Sequence, residues 1–426
     1  MKVLMFGWEF PPHISGGLGT ACYGLVKGMD HHKQDLIFVV PKLWGDEDPL
    51  AEFVNASEIE IDYRERRFRD IWKSLTYLEV SSFLIPYLSP EEYHNHTERL
   101  LKDQDELESS VLANKFSFSG KYGKDLILEV SRYALVAAQI AKNKKFDLIH
   151  AHDWLSFPAG IAAKQISGKP MIAHVHATEF DRSGQTVNQR VYDIEKAGME
   201  AADKIIAVSQ LTKNTIVTKY GIPEEKVTVV HNAVLDTSII KSHVEKKVPE
   251  KIVTFLGRIT FQKGPEYFVE AAAKVIKKDE NVRFVMAGSG DLLNRMIQRV
   301  AELRIGTKFH FTGFLKGDDV DKMFALSDVY VMPSVSEPFG ISPLEAVRHS
   351  TPVIISKQSG VAEVLQNAVK VDFWDIDAMA DSIFALLHYN GISKMFKEMG
   401  REELKRLKWE HVAEKVIGIY KQTVNQ

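Results

Sequence analysis

Cysteine is almost missing from this chain: Cys22 is the single example in 426 residues. A lone thiol excludes an internal disulfide framework and any zinc site built from cysteines, and it points to a reducing compartment. An excess of either charge is missing too, because 54 Lys and Arg stand against 57 Asp and Glu, a formal net charge of −3. No one-sign field is therefore on hand to hold nucleic acid nonspecifically. Nowhere do about 18 apolar residues run together, so no membrane-spanning helix is expected. The start, Met1 to Gly7 and then Trp8-Glu9-Phe10-Pro11-Pro12, has neither the core nor the cleavage region of a signal peptide, and a cytoplasmic protein is expected. Fixed-period repeats and low-complexity tracts are absent as well. What is there is an ordinary globular composition, 45% hydrophobic and 26% charged. At about 150 residues per domain the length allows two large domains or up to three smaller ones.

Short β-branched or apolar runs alternate with helical stretches, the pattern of parallel sheets covered by helices on both faces. In the first half the runs predict strands at 2–6, 35–40, 146–150, 171–176, 204–208 and 226–231. In the second half they fall at 252–257, 282–287, 310–313, 329–332 and 353–355. Residues 241–251 are polar and charged and contain Pro249, a linker signature. The expectation is an α/β protein of two doubly wound domains, 1–240 and 250–405, facing each other. Residues 44–120 break the rhythm and read as an insertion in the first domain. Its run Arg64-Glu65-Arg66-Arg67-Phe68-Arg69 reads as a solvated helix face.

Several motifs carry chemistry. Ser15-Gly16-Gly17-Leu18-Gly19-Thr20 follows the first strand and opens a helix, so its backbone can approach a phosphate or sugar; a tight strand-to-helix turn accounts for it equally. Cys22 stands where a dinucleotide fingerprint needs a small residue, which sets hydride transfer aside. Gly257-Arg258 to Lys263-Gly264-Pro265 brings two cations to the start of a helix with Pro265 at its first position. An arginine fork and a lysine point charge there suit a diphosphate and the charge on a departing one, although strand-end cations are also common on surfaces. In Glu337-Pro338-Phe339-Gly340-Ile341-Ser342-Pro343-Leu344-Glu345 the second carboxylate also fits a capping box with Ser342. Glu337 has no such local duty, and it sits in a loop at the sheet edge where ligands bind in this architecture. Gly288, in Ala287-Gly288-Ser289-Gly290-Asp291, marks a second turn open to a nucleotide, or a helix start capped by Asp291. His150, His152, His174 and His176 end two predicted strands, and no carboxylate pattern completes a metal site around them. Asp46-Glu47-Asp48 and Asp375-Ile376-Asp377 read as surface turns. No metal is expected.

Taken in order along the chain, the Gly-Gly-Leu loop, Gly-Arg-x4-Lys-Gly and Glu-Pro-Phe-Gly with its second Glu resemble retaining glycosyltransferases of the GT-B fold. The nearest resemblance is to glycosyltransferase family 4, with glycogen-synthase-like features. It implies two Rossmann-like domains about a central cleft and a terminal helix, 406–426, that crosses back to the first domain. By the resemblance Arg258 and Lys263 bind the nucleotide diphosphate, Glu345 the ribose, and Glu337 with the amides of Phe339 and Gly340 the donor sugar. Gly16, Gly17 and Gly288 belong to the same donor site. His176 matches a sugar-contacting histidine, Asp153 and Trp154 match residues that line the sugar site of glycogen synthases, and Asn232 matches the Asn of a hinge motif with Ala233 in place of Gly. Three departures favour family 4 chemistry over membership of the synthases: Ile14 stands where they have Lys, Phe339 where they have Cys, and Glu345 where they have Tyr. The implied activity moves a hexose, glucose first, from UDP-glucose or ADP-glucose to a saccharide acceptor, an α-glucan first, without a further cofactor. A sugar-nucleotide epimerase or phosphorylase on the same architecture, and a non-catalytic saccharide-binding protein, are the alternatives.

Overall fold

The computed structural model describes residues 1–13, 16–61, 71, 115–120, 122, 126–184, 186–235, 246 and 248–425. Ile14 and Ser15 of the first glycine loop, the basic run at 64–69 and most of the linker at 241–247 lie outside the described residues. Two parallel sheets carry the chain. The first contains β1 (Lys2–Phe6), β2 (Asp35–Val40), β3 (Glu52–Asn55), β4 (Leu148–His152), β5 (Met171–Val175), β6 (Lys204–Ala207) and β7 (Val227–Val229), in the order β3-β2-β1-β4-β5-β6-β7. The second contains β8 (Lys251–Leu256), β9 (Val282–Ala287), β10 (Phe309–Gly313), β11 (Val329–Met332), β12 (Val353–Ser356) and β13 (Val369–Val371), in the order β10-β9-β8-β11-β12-β13.

Helices α1 (Gly17–His31), α2 (Leu126–Asn143), α3 (Asp153–Ser167), α4 (Glu179–Ser183), α5 (Gln189–Ala201) and α6 (Gln210–Tyr220) accompany the first sheet. With the second go α7 (Pro265–Lys278), α8 (Leu293–Glu302), α9 (Asp318–Leu326), α10 (Ser342–Arg348), α11 (Val361–Val364), α12 (Ile376–His388) and α13 (Asn390–Leu404), before a last helix α14 (Trp409–Val424). Because helices cover both sheet faces, β4 and β5 are buried at every position and β1 from Val3 onward, and their sequences run apolar instead of alternating. The two faces of the first sheet accordingly support separate cores, one around Phe6, Tyr133 and Ile149, the other around Met5, Phe38 and Leu148.

Two strand boundaries shift in a way that matters for the site. The strand expected at 146–150 starts at Leu148 and continues to His152, and the one expected to reach His176 stops at Val175. His152 therefore sits in the ladder opposite His174, and His176 just beyond it. The structure also adds β3, a short half-exposed edge strand paired parallel to β2 inside the stretch read as an insertion, and β13 at the far edge of the second sheet.

Helix α14 follows the second domain in sequence but lies on the first. It lays Trp409, Val416 and Tyr420 against α1, and the approach is close. A Cβ on Gly24 would stand 2.1 Å from the Trp409 ring, and one on Gly28 would stand 2.4 Å from the Trp409 carbonyl oxygen.

Each sheet reverses its strand order once, between β1 and β4 and between β8 and β11. The crevice beyond the carboxyl ends of the strands at such a reversal is where open α/β sheets bind ligands.

Candidate active site

The second sheet brings its predicted residues to that crevice. Gly257 and Arg258 leave the end of β8, and Pro333 to Glu337 leave the neighbouring β11. Gly264 has φ of 62° and serves as N-cap of α7, with Pro265 at the first helical position as the sequence suggests. A side chain at 264 would press to 2.2 Å from the Pro333 carbonyl oxygen, so glycine lets the two loops touch. Across that contact Lys263 forms an ion pair with Glu337, whose second partner is the Ser334 hydroxyl at 3.2 Å. Glu337 is buried, and its backbone is held by bonds from Glu337 N to the Gln358 carbonyl (3.0 Å) and from Gly360 N to the Glu337 carbonyl (2.9 Å). Arg258 is exposed and donates to Gln262 Oε1 at 3.2 Å. Gly288 has φ of 140°, and its Cβ position falls 1.8 Å from the Gly257 carbonyl oxygen, which fixes glycine there for close packing of two loops.

The capping box expected at 342–345 does not form. Ser342 is the first helical residue and its hydroxyl pairs with the Tyr330 hydroxyl at 2.8 Å, so it caps nothing. Glu345 lies one turn into α10, where burial pushes its carboxyl above the ordinary range while Arg348 pulls it back. Phe339 is buried and Gly340 has φ of 94°. Asp291 caps no helix either, since α8 begins at Leu293 without a side-chain cap. Asp375 does cap a helix, accepting from Ala378 N at 2.9 Å, while Asp46 and Asp48 bond His13 and Tyr23.

On the first domain, four imidazoles form a buried ladder. His152 Nδ1 and His176 Nε2 are 2.9 Å apart, His150 Nε2 and His174 Nδ1 3.2 Å, and His150 Nδ1 meets the Tyr420 hydroxyl of α14 at 2.6 Å. The rings stack along each strand, with centroids 4.3 Å apart for 150 and 152 and for 174 and 176. Burial pushes His150 and His176 down to about 3 and lowers His152 and His174 as well, so all four are neutral near pH 7. Two sets, Cys22 with His152 and His176, and His150 with His152 and His174, have donor atoms within 4.8 Å of one another. Four of the ring nitrogens bond each other in two pairs, while His152 Nε2, His174 Nε2 and His176 Nδ1 are buried without a hydrogen-bond partner.

Asp153 opens α3 with φ of 58°, and its Oδ1 accepts from His176 N at 2.6 Å and from Ala177 N at 3.4 Å. Burial raises this carboxyl to about 6 against the pull of Arg182 and the two amides. Trp154 is half-buried against the first core, Asn232 is buried in the crossover between domains, and Gly16 and Gly17 are exposed at the start of α1.

Sequence reasoning missed what joins the two sides. Ser336, beside Glu337, donates to Asp181 Oδ1 at 2.6 Å, and Asp181 completes a capping box with Thr178 two residues after His176. Thr178-Glu179-Phe180-Asp181 has the capping-box form and was legible as a helix start, not as a docking point. Glu363 of α11 accepts from Gln210 N (2.8 Å) and Leu211 N (2.9 Å) at the N-terminus of α6, and pairs with His231 at 2.6 Å.

Two doubly wound domains with their switch points turned to one cleft are the GT-B glycosyltransferase architecture. HepE of Anabaena, solved with UDP and glucose, superposes with a TM-score of 0.66 at 16% identity, covering 99% of this chain and all of that one. The family model "Glycosyltransferase Family 4" matches residues 105–237 and "Glycosyl transferases group 1" matches 236–403. An uncharacterized glycosyltransferase of Methanocaldococcus jannaschii is 27% identical over 99% of this chain and 98% of its own length. Glycogen synthase of Mycobacterium tuberculosis is 22% identical over 99% and 94%. The chain belongs to the GT-B glycosyltransferases of family 4.

Proposed function

We propose that this glycosyltransferase moves a hexose, glucose first, from a nucleotide-diphosphate sugar to a saccharide acceptor, an α-glucan first, with retention at the anomeric carbon. The observation that carries the reading is the Lys263–Glu337 ion pair at the switch point of the second sheet, with Arg258 in the same loop after β8. Breaking the sugar–phosphate bond leaves positive charge on the sugar and negative charge on the diphosphate. Arg258 and Lys263 stabilise the departing diphosphate, the largest catalytic contribution in this scheme. Glu337 holds the Lys263 ammonium before the donor arrives and bonds the sugar hydroxyls with the amides of Phe339 and Gly340. Glu345 takes the ribose. The acceptor hydroxyl attacks on the face the leaving group vacates, and the leaving phosphate takes its proton.

Gly16 and Gly17 support the reading from the other side. Among the described residues a Cβ at either would meet nothing within 4 Å, which leaves the backbone there open to approach by a ligand. His176, neutral and beside Asp153, serves as a hydrogen-bonding group for the sugar rather than a proton donor. The test is nucleotide release from UDP-, ADP- and GDP-sugars, each with and without maltooligosaccharide and with a chelator present. Acceptor-dependent release from a glucose donor is the expected result. Release from none, with the nucleotide sugars recovered unchanged, would favour a saccharide-binding protein, and recovery as another sugar an epimerase.

A further inference from the structure

The loop of His176 leads into α4, a helix of five residues to which the proposed reaction gives no part. It is anchored within the first domain. Glu195 of α5, 2% exposed, accepts from Glu179 N at 3.0 Å, from the Arg182 guanidinium at 2.6 Å and from the Tyr220 hydroxyl. Arg182 also donates to the Ala177 carbonyl at 3.3 Å, beside His176, and Asp181 Oδ2 accepts from the Thr178 amide and hydroxyl, each at 2.8 Å. Displacing α4 would leave buried charges unpaired, so it stays where this network puts it. The helix then meets the second domain at two points. Asp181 Oδ1 accepts from the Ser336 hydroxyl at 2.6 Å, and a Cβ on Gly184 would stand 3.4 Å from the Phe261 ring. Those two partners belong to the two donor loops: Phe261 opens the turn Phe261–Lys263, and Ser336 precedes Glu337. The loops are joined to each other as well, by Val335 N donating to the Gln262 carbonyl at 2.9 Å.

We propose that α4 is the seat on which the second domain docks, and that Asp181 is a positioning residue: by accepting the Ser336 hydroxyl it sets Glu337 and Lys263 in register with His176 across the cleft. The inference rests on the reading of those three as donor-site residues. Register matters because they lie on different domains. A sugar bonded from both sides is placed for transfer at one separation of the domains, whereas diphosphate and ribose are held by the second domain alone. Asp181 therefore acts on transfer and not on nucleotide affinity. Little backbone lies between the bond and the groups it places, since Ser336 is next to Glu337 and Asp181 is five residues from His176. A carboxylate suits the task. Its bond to a hydroxyl is stronger than one between neutral groups, and the two Thr178 bonds to Oδ2 fix its rotamer, so that Ser336 meets a preset acceptor.

The first test is amide hydrogen exchange of the full chain, read by mass spectrometry on peptides covering 178–184 and 333–340, without reference to activity. Ser336→Ala removes the bond and leaves the Thr178–Asp181 capping box intact. Exchange in both peptides is expected to rise roughly threefold or more at unchanged melting temperature, and Ser336→Thr, which keeps the hydroxyl, to restore protection. Wild-type exchange in Ser336→Ala overturns the proposal.

The second test sets kcat for UDP-glucose or ADP-glucose, whichever turns over, beside the Kd of the free nucleoside diphosphate. In Ser336→Ala kcat should fall roughly 10–100-fold with Kd within about twofold of wild type, and Ser336→Thr should bring kcat back to within about threefold. A wild-type kcat in Ser336→Ala overturns the proposal. So does a Kd raised as much as kcat falls, which would make the bond part of nucleotide binding. A wild-type kcat in Glu337→Gln overturns the donor-site reading on which the proposal rests, while hydrogen exchange reports separately on the docking at α4.

Discussion

At position 263 a lysine is held by a buried carboxylate in a loop that closes against another loop through Gly264. Under the proposed reaction, Lys263→Ala keeps the fold and lowers kcat by roughly 10²–10³. Single-turnover rates alongside a melting curve check this, and near-wild-type turnover in a folded protein would remove Lys263 from the leaving-group role. The buried ladder and the carboxylates around Arg182 make a second prediction, in pH. The four histidines have folded values below 6.5, so their contribution to stability is present above that pH and is lost as pH falls. Glu195, raised to about 7, and Asp153, raised to about 6, act in the opposite sense, adding stability as pH falls through those values. Between pH 6.5 and 4.5 the four histidines outweigh three carboxyls, because burial also lifts Glu345. Stability should drop on acidification by roughly 1 kcal/mol per pH unit, and urea midpoints at pH 7 and 5.5 measure it.

At the scale of elements, the contact of α1 with α14 depends on two glycines four residues apart on one face of α1. Gly24→Ala should cost about 1–3 kcal/mol by overpacking against Trp409, and a combined Gly24→Ala, Trp409→Phe chain should recover part of it in thermal melts. The order of strands and helices was legible because strands buried on both faces leave unbroken apolar runs. β3 was not, because Glu52-Phe53-Val54-Asn55 is short and half-exposed, and an edge strand buries too little to write itself into composition. The loop residues Arg258, Lys263, Glu337 and Gly340 were legible from glycine and proline punctuation. The paired histidines were visible as a spacing, but their bonds were not. A ring partner such as Tyr420, 270 residues from His150, leaves no local mark. The capping box at 342–345 was legible and wrong, since Tyr330, on a strand twelve residues earlier, claims the serine.

For the whole molecule, the bonds between the two domains set how readily the cleft opens. Glu363 ties α11 to the N-terminus of α6 and to His231 in the crossover. Glu363→Ala removes all three acceptances, and small-angle scattering without donor should then give a larger radius of gyration at unchanged helix content. Equal radii for variant and wild type would mean that the remaining bonds, among them Ser336 to Asp181 and Arg348 to the Leu235 carbonyl, hold the domains. The last helix has another consequence, in time instead of space. His32, just past α1, bonds the Glu410 carbonyl of α14 across 378 residues of sequence. During synthesis at about 5–20 residues per second, α1 waits for its covering layer for tens of seconds. Throughout that interval the nascent first domain presents the apolar groove around Gly24 and Gly28 to whatever meets it on the ribosome, and only the emergence of α14 seals it.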